Sequence, residues 1–439
     1  MNISQSTSEL EKLYDYLNDE EDARTCKAID DEACRETPQN YFLLLLSNML
    51  TSLGDTLSNP KTVLTWVMSY VNAPVMLISF IVPIRESGSM LPQLFIAHYI
   101  RKRAVRKYVW VLGSFLQFLA IAAIGFVALS FEGSLAGWLI ILCLICFSLS
   151  RGLCSIAFKD VMGKTIPKTK RGKLKGYTAS VSGALVLATG LFILYKSKDD
   201  VGIEFYSYLI FFAASLWAIA ALIYANIKEF PGATEGGKNG LKEAWSRLSL
   251  LKEDKHFRNF VITRSLLLCS ALTAPYYVLL AQRYVGKEAY LLGLFIIANG
   301  VASIISAPVW GKMADKSSKR VMTYSAVLTA SLGLLIVAII QFLPSFRDQV
   351  WLYPVAFFVL GIAHQGVRLG RKTYIVDMAE GNRRTDYVAV SNTLIGFILL
   401  ITGGISALAS LISVEGIIAV LSVLGILGAI KSATLPNVE

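Results

Sequence analysis

From about residue 40 onward the chain is a succession of apolar runs, each close to twenty residues long, separated by short charged stretches. That pattern leaves few folds open. A hydrocarbon core of about 30 Å is crossed by roughly 20 helical residues. Inside it, every backbone N–H and C=O must be bonded within the chain, so such runs become transmembrane helices. Composition agrees. Of 439 residues, 54% are hydrophobic, mean hydropathy is +0.55, and only 17% are charged, against about a quarter in soluble domains. The prediction is an all-α polytopic membrane protein.

Reading the runs against that length gives twelve spans, near 40–58, 74–98, 107–130, 136–158, 176–195, 205–227, 259–281, 289–311, 321–343, 350–373, 387–410 and 414–432. The segment 61–73, KTVLTWVMSYVNA, is apolar too, but Asn59-Pro60 and Ala73-Pro74 bracket it. It reads as a short helix or loop on the outer face, or as an extension of the first span. The excess of Lys and Arg in cytoplasmic loops tests the count. With both termini inside, the inner loops hold 28 Lys and Arg and the outer loops 6. The expected location is a bacterial inner membrane, with both ends cytoplasmic.

Charge divides the chain further. The first 40 residues carry eleven Asp and Glu against four Lys and Arg, a net of −7 in a chain of net +11. No apolar segment near Met1 resembles a cleaved signal. Ser8 and Glu11 form a capping box, and Leu10, Leu13, Tyr14 and Leu17 fall on one helical face. Residues 1–38 are therefore an acidic tail, either a short amphipathic helix or disordered. A six-helix bundle follows at 39–227, a cytoplasmic linker at 228–257, a second bundle at 258–432 and a short tail at 433–439. Of six cysteines, Cys143 and Cys146 form a CxxC inside an apolar run. They read as packing residues, as do Cys26, Cys34, Cys154 and Cys269, with no disulfide framework.

The halves repeat one another. Pro92 precedes a basic cluster after the second span, and Pro308 does so after the eighth. Arg151 is followed twenty residues later by Arg171, and His364 twenty residues later by Arg384. GKMADKSSKR, Gly311 to Arg320, resembles the loop motif of the major facilitator superfamily, matching at Gly311, Asp315, Lys316, Lys319 and Arg320. Ser318 stands where glycine is usual, and the first-half copy has Phe95 and Tyr99 at the matching places. SRGLCSIAFKDVMGKTIPKTKRGKLKG, 150–176, is similar to the family's fourth-helix region, with Arg151 at the place of its buried arginine. The resemblance covers roughly 38–432. It implies two pseudo-symmetric six-helix bundles, alternating access around a midplane site, and a cytoplasmic latch of Gly311, Asp315, Lys316, Lys319, Arg320 and Arg171. It also implies that the first and fourth helices line the central cavity. The fifth span lacks the proline of the family's drug–proton antiporters.

A charge within a bilayer needs a partner or a water-filled cavity. Arg85 and Glu86 are neighbours in a span holding Pro83 and Gly88, and a helix points adjacent residues about 100° apart. They cannot simply neutralise one another. A carboxylate inside a membrane protein suits a coupling proton, so Glu86 is the expected carrier and Asp55 the second candidate. Arginine holds carboxylates and phosphates in a bidentate way. Arg151, Arg85, His364 and Arg368 are the substrate-binding candidates, with His364 and Arg368 four apart on one face. Trp66, Tyr70, Tyr276 and Tyr277 could stack on a substrate ring. The alternative for Arg85 and Glu86 is a structural tie between helices, and for Arg368, Arg371 and Asp377 a snorkelling or latching role near the inner end.

The expected function is secondary active transport of a small organic solute, anionic or zwitterionic, by alternating access with H+ as the coupling ion. The chain is read as a monomer in the lipid bilayer, not an enzyme, with no cofactor, metal or nucleic-acid partner. It lacks a phosphate-binding loop motif. Two alternatives stay open: a proton-driven exporter of a drug, siderophore or metabolite, and a non-transporting assembly factor or sensor that uses the acidic tail.

Overall fold

The computed structural model describes residues 13–14, 16–17, 31–91, 100, 102–167, 170–196, 201–232, 234, 247–378 and 381–438. For 31, 247 and 381–386 it describes the backbone only. No β-strand occurs among them. The main helices are α1 Thr37–Leu57, α2 Val63–Tyr70, α3 Val75–Ile78, α4 Ile81–Met90, α5 Lys107–Ser130, α6 Gly133–Thr165, α7 Arg171–Lys196, α8 Ile203–Ala225, α9 Lys255–Leu266, α10 Cys269–Leu272, α11 Ala274–Tyr284, α12 Ala289–Phe342, α13 Leu352–Asp377, α14 Gly381–Ala409 and α15 Val414–Ala433.

Nine helical stretches among the described residues are long and apolar enough to cross a membrane. One of them, α12, is 54 residues long and consists of two helices that meet at Ser317, where the backbone is extended (φ −169, ψ 103). It spans the eighth and ninth predicted runs. The first and second runs complete the twelve. The first is α1, which carries Asp55, and the second is broken into α3 and α4. Large apolar side chains such as Phe126, Trp138, Leu222 and Ile401 point outward, as a lipid-facing surface requires.

Two breaks have one physical cause. Proline lacks an N–H and crowds the carbonyl four residues back. Pro83 sits in the first turn of α4, and the chain leaves the helix at residues 79–80. Pro275 sits in the first turn of α11, and the break falls at Thr273. The predicted continuous spans 74–98 and 259–281 are each made of short pieces, the second of them turning also at residues 267–268, where no proline stands. Residues 92–98 lie outside the described residues, as do Phe95, Tyr99 and the Pro92 end of the internal repeat.

α1, α4, α5, α6, α7 and α8 pack on one another in the first half, and α9, α12, α13 and α15 in the second. Between halves, α7 packs on α12, α4 on α14 and α2 on α11. Small residues allow this. A Cβ on Gly293 would stand 3.1 Å from the Gly190 carbonyl oxygen, and one on Gly403 2.6 Å from Pro83. Close backbone approach of this kind is the usual basis of helix association in membranes.

One expectation needs correction. Cys34 is disulfide-bonded, whereas Cys143, Cys146, Cys154 and Cys269 are free. The segment 61–73 forms a short helix, α2, one of the readings open to it, and not a continuation of α1; its Trp66, Val67 and Met68 are fully buried. Of the acidic tail, the described part includes Tyr14, which is buried edge-on against Tyr41 with ring centroids 5.3 Å apart.

Candidate functional site

A cavity of about 380 Å³ lies between the halves. Its wall combines the end of α1, the turn after it, α4 and α6 with α10, α13 and α14. The wall carries five basic side chains, Lys61, Arg85, Arg151, Arg368 and Arg371, and two carboxylates, Asp55 and Glu86. With both carboxylates ionised, the net charge is +3.

Asp55 is held on both sides. Its Oδ1 accepts from Arg85 Nη2 at 2.9 Å and pairs with Arg151 Nη1. The Arg85 guanidinium also lies 4.6 Å from the ring centre of Phe147 and is 8% exposed. Arg85 is thus fixed by an ion pair on one side and a ring on the other, while Arg151 keeps a 35% exposed side chain. Helix geometry put Arg85 and Glu86 on different bearings, and the structure places them so. Arg85 turns to Asp55. Glu86 lines the cavity, and its carboxylate makes no hydrogen bond or ion pair among the described residues. Lys61, Arg371 and Arg151 are within electrostatic range of it.

Across the cavity, Lys61 Nζ lies 2.9 Å from His364 Nε2, and Ser270 Oγ 3.2 Å from His364 Nδ1. Lys61 joins the first half to the second. Arg368 and Arg371 follow His364 along α13, four and seven residues on, and so share its face. Neither has a carboxylate within ion-pair distance among the described residues.

The cavity gathers six of the predicted residues: Asp55, Arg85, Glu86, Arg151, His364 and Arg368. It also includes two that the sequence pattern placed elsewhere. Arg371 had a signal, the 364, 368, 371 spacing. Lys61 had none, because a lysine beside Asn59-Pro60 reads as a loop residue. The four aromatic candidates do not line the cavity. Trp66, Tyr276 and Tyr277 are buried in helix packing, Tyr276 Oη donates to Ser79 Oγ at 2.9 Å, and Tyr70 packs on Tyr206 with centroids 5.2 Å apart.

The latch candidates are not brought together. Asp315 is exposed, with no ion pair among the described residues, and the segment 311–320 is helical up to Ser317. A Cβ on Gly311 would meet no atom within 4 Å. Lys316 and Arg320 are exposed and Lys319 half-buried. The Lys319 carbonyl accepts from Ser432 Oγ at 3.3 Å. Arg171 caps α6, donating to the carbonyls of Ile166 at 2.9 Å and Gly163 at 2.7 Å, a common use of arginine at a helix C-terminus. An ionic cluster with no counterpart among the sequence expectations ties the same end of the first half. Asp160 pairs with Arg106 and, at 3.0 Å, with Lys164. Buried Glu229 meets Lys164 at 2.9 Å and accepts from the Lys107 N–H at 2.6 Å.

The hydrogen bonds that the described residues make between halves lie on one side of the cavity. Lys287 Nζ reaches the Ser69 carbonyl at 3.1 Å, Gln282 Nε2 the Trp66 carbonyl at 3.3 Å, and Tyr206 Oη the Lys287 carbonyl at 3.2 Å. With Tyr276–Ser79 and Lys61–His364, they close the side bearing residues 66–79 and 276–288.

A family model described as Major Facilitator Superfamily matches residues 44–345 and 268–437. No curated protein matches the sequence. Among solved structures, a mutant of the nucleoside transporter NupG is similar at 12% identity and TM-score 0.68, over 90% of this chain and 99% of that one. The inward-open xylose transporter XylE from E. coli is similar at 13% identity and TM-score 0.65, over 90% and 96%. An inward-facing bacterial homologue of the iron transporter ferroportin is similar at 15% identity and TM-score 0.64, over 90% and 99%.

Proposed function

The chain belongs to the major facilitator superfamily, and from that premise we propose that it moves a small organic anion, or a zwitterion with an acidic end, by proton-coupled alternating access. The observation that carries this reading is the charge of the cavity: five basic side chains against two carboxylates. Unneutralised charge in a low-dielectric site is costly, and an anionic solute relieves it. Glu86 is the proton carrier in this reading. It faces the cavity with no fixed partner among the described residues, whereas Asp55 is committed to Arg85 and Arg151. The transport unit is a monomer of two bundles, 39–227 and 258–432, in a bacterial inner membrane with both termini cytoplasmic. The excess of Lys and Arg on the 164–176 and 311–320 side supports that orientation. The side closed by Lys287, Gln282 and Tyr276 is then the outer one, and the cavity faces inward.

Comparative metabolomics of cells with and without the gene, inside and outside, tests the reading. The expected result is one class of organic acid that changes across the membrane, with the change lost in Glu86→Gln. A profile identical in both strains, or a changed compound that is cationic, sinks it.

A further inference from the structure

The five basic side chains of the cavity are not equivalent. Arg85 and Arg151 already share Asp55. Their positive charge is partly spent, and Arg85 is fixed against Phe147. Away from that cluster, Lys61, reaching over from the first half, and Arg368 and Arg371 of the second face one another's charge with only Glu86 to offset it. Among the described residues the Lys61 ammonium has one partner, the His364 ring. From that asymmetry, and resting on the anion-transport reading above, we infer that the acidic group of the solute binds at Lys61, Arg368 and Arg371, not at the Asp55 cluster, and that this subsite takes a doubly charged group of the phosphate-monoester or dicarboxylate kind.

The charge of the subsite sets the class. Three cations and one carboxylate leave +2, which a dianion neutralises and a monoanion does not. Guanidinium pairs favour planar or tetrahedral oxyanions over chloride, because they donate along two parallel N–H directions. The geometry adds a consequence. Lys61 comes from the first half and its acceptor, His364, from the second. An ammonium donates more strongly to an oxyanion than to an imidazole nitrogen, so the bound dianion draws Lys61 from His364. The same event that fills the site removes one of the hydrogen bonds closing the outer side. Ser270 Oγ at 3.2 Å keeps the imidazole in place when Lys61 leaves. The charged groups around that ring are Lys61 from the turn after α1 and Arg368 and Arg371 on α13, all cations that an arriving dianion screens.

The test is binding to the purified full chain in detergent, followed by thermal unfolding at neutral pH. The probes are inorganic phosphate, glycerol phosphate and succinate, with chloride and acetate at matched ionic strength as references. The expected result is a rise in Tm with at least one dianion and none with the references. Phosphate and succinate arms that differ show which oxyanion geometry the site prefers. Lys61→Gln, Arg368→Gln and Arg371→Gln are each expected to weaken that binding about tenfold or more, the loss of one charge-assisted contact. Arg368 is exposed in the cavity and makes no hydrogen bond or ion pair among the described residues, so Arg368→Gln reports on the subsite with the least disturbance of folding. Dianion binding that survives Lys61→Gln and Arg368→Gln but is lost in Arg151→Lys places the anion at the Asp55 cluster and overturns the inference. No stabilisation by any of the three dianions overturns it as well. The transport reading stands or falls separately, on flux.

Discussion

At the residue scale, two carboxylates in one cavity have opposite tasks. Asp55 holds Arg85 and Arg151 together, and Glu86 is available to the solute and to a proton. Their substitutions should therefore separate stability from function. Asp55→Asn leaves two arginines without a counter-charge, which costs about 3–5 kcal/mol in a fully buried pair and less here, since the Arg151 side chain is 35% exposed. A clear fall in Tm in detergent is expected. Glu86→Gln removes no ion pair, and its fall in Tm should be smaller than that of Asp55→Asn while coupled flux is lost. Equal destabilisation by both would show that Glu86 is structural. The sequence showed that Arg85 and Glu86 must diverge, because helix geometry alone requires it. It did not show which of them would meet Asp55, since that depends on how α1 and α6 dock.

At the element scale, helix ends and contacts make two further predictions. Gly88 lies against α6, and a Cβ there would stand 2.6 Å from Ser148 Cβ. Gly88→Ala should destabilise by about 1–3 kcal/mol, the usual range for overpacking, and Ser148→Gly should restore most of it. Failure of the double variant to recover would place the strain elsewhere. Asp254 caps α9, accepting from the N–H of His256 at 2.8 Å and Phe257 at 3.0 Å, and from the Tyr387 hydroxyl. Burial raises its pKa, but the donated bonds outweigh that and hold the carboxyl below its ordinary 3.8. A lowered folded-state value stabilises above the unfolded value and is lost as pH falls through the folded one. Asp254→Ala should cost about 1 kcal/mol at neutral pH, and the difference from wild type should shrink below pH 3.8. A constant difference down to strongly acidic pH would contradict this. The cap itself is readable as Asp-Lys-His before an apolar helix, but the Tyr387 partner, 133 residues away, is not.

At the scale of the whole molecule, the fold was legible because length and apolarity are local properties. A twenty-residue run reports its own destination. The breaks in the second and seventh spans were half legible: Pro83 and Pro275 mark where a helix must restart, but not that the pieces surround a cavity. The site was legible where spacing put residues on one face, as with His364 and Arg368. It was not legible at Lys61, whose position depends on the packing of α2 between α8 and α11. The hydrogen bonds between halves, among the described residues, lie on one side, as a two-state transporter has them in one of its states. The most direct test of proton-coupled anion transport is proton movement in proteoliposomes. Vesicles containing the protein and an internal pH dye are given the anionic fraction of a cell extract. The expected result is a change in internal pH for the wild type and none for Glu86→Gln at equal protein content. The same change in both, or none in the wild type with any anionic fraction, would contradict it.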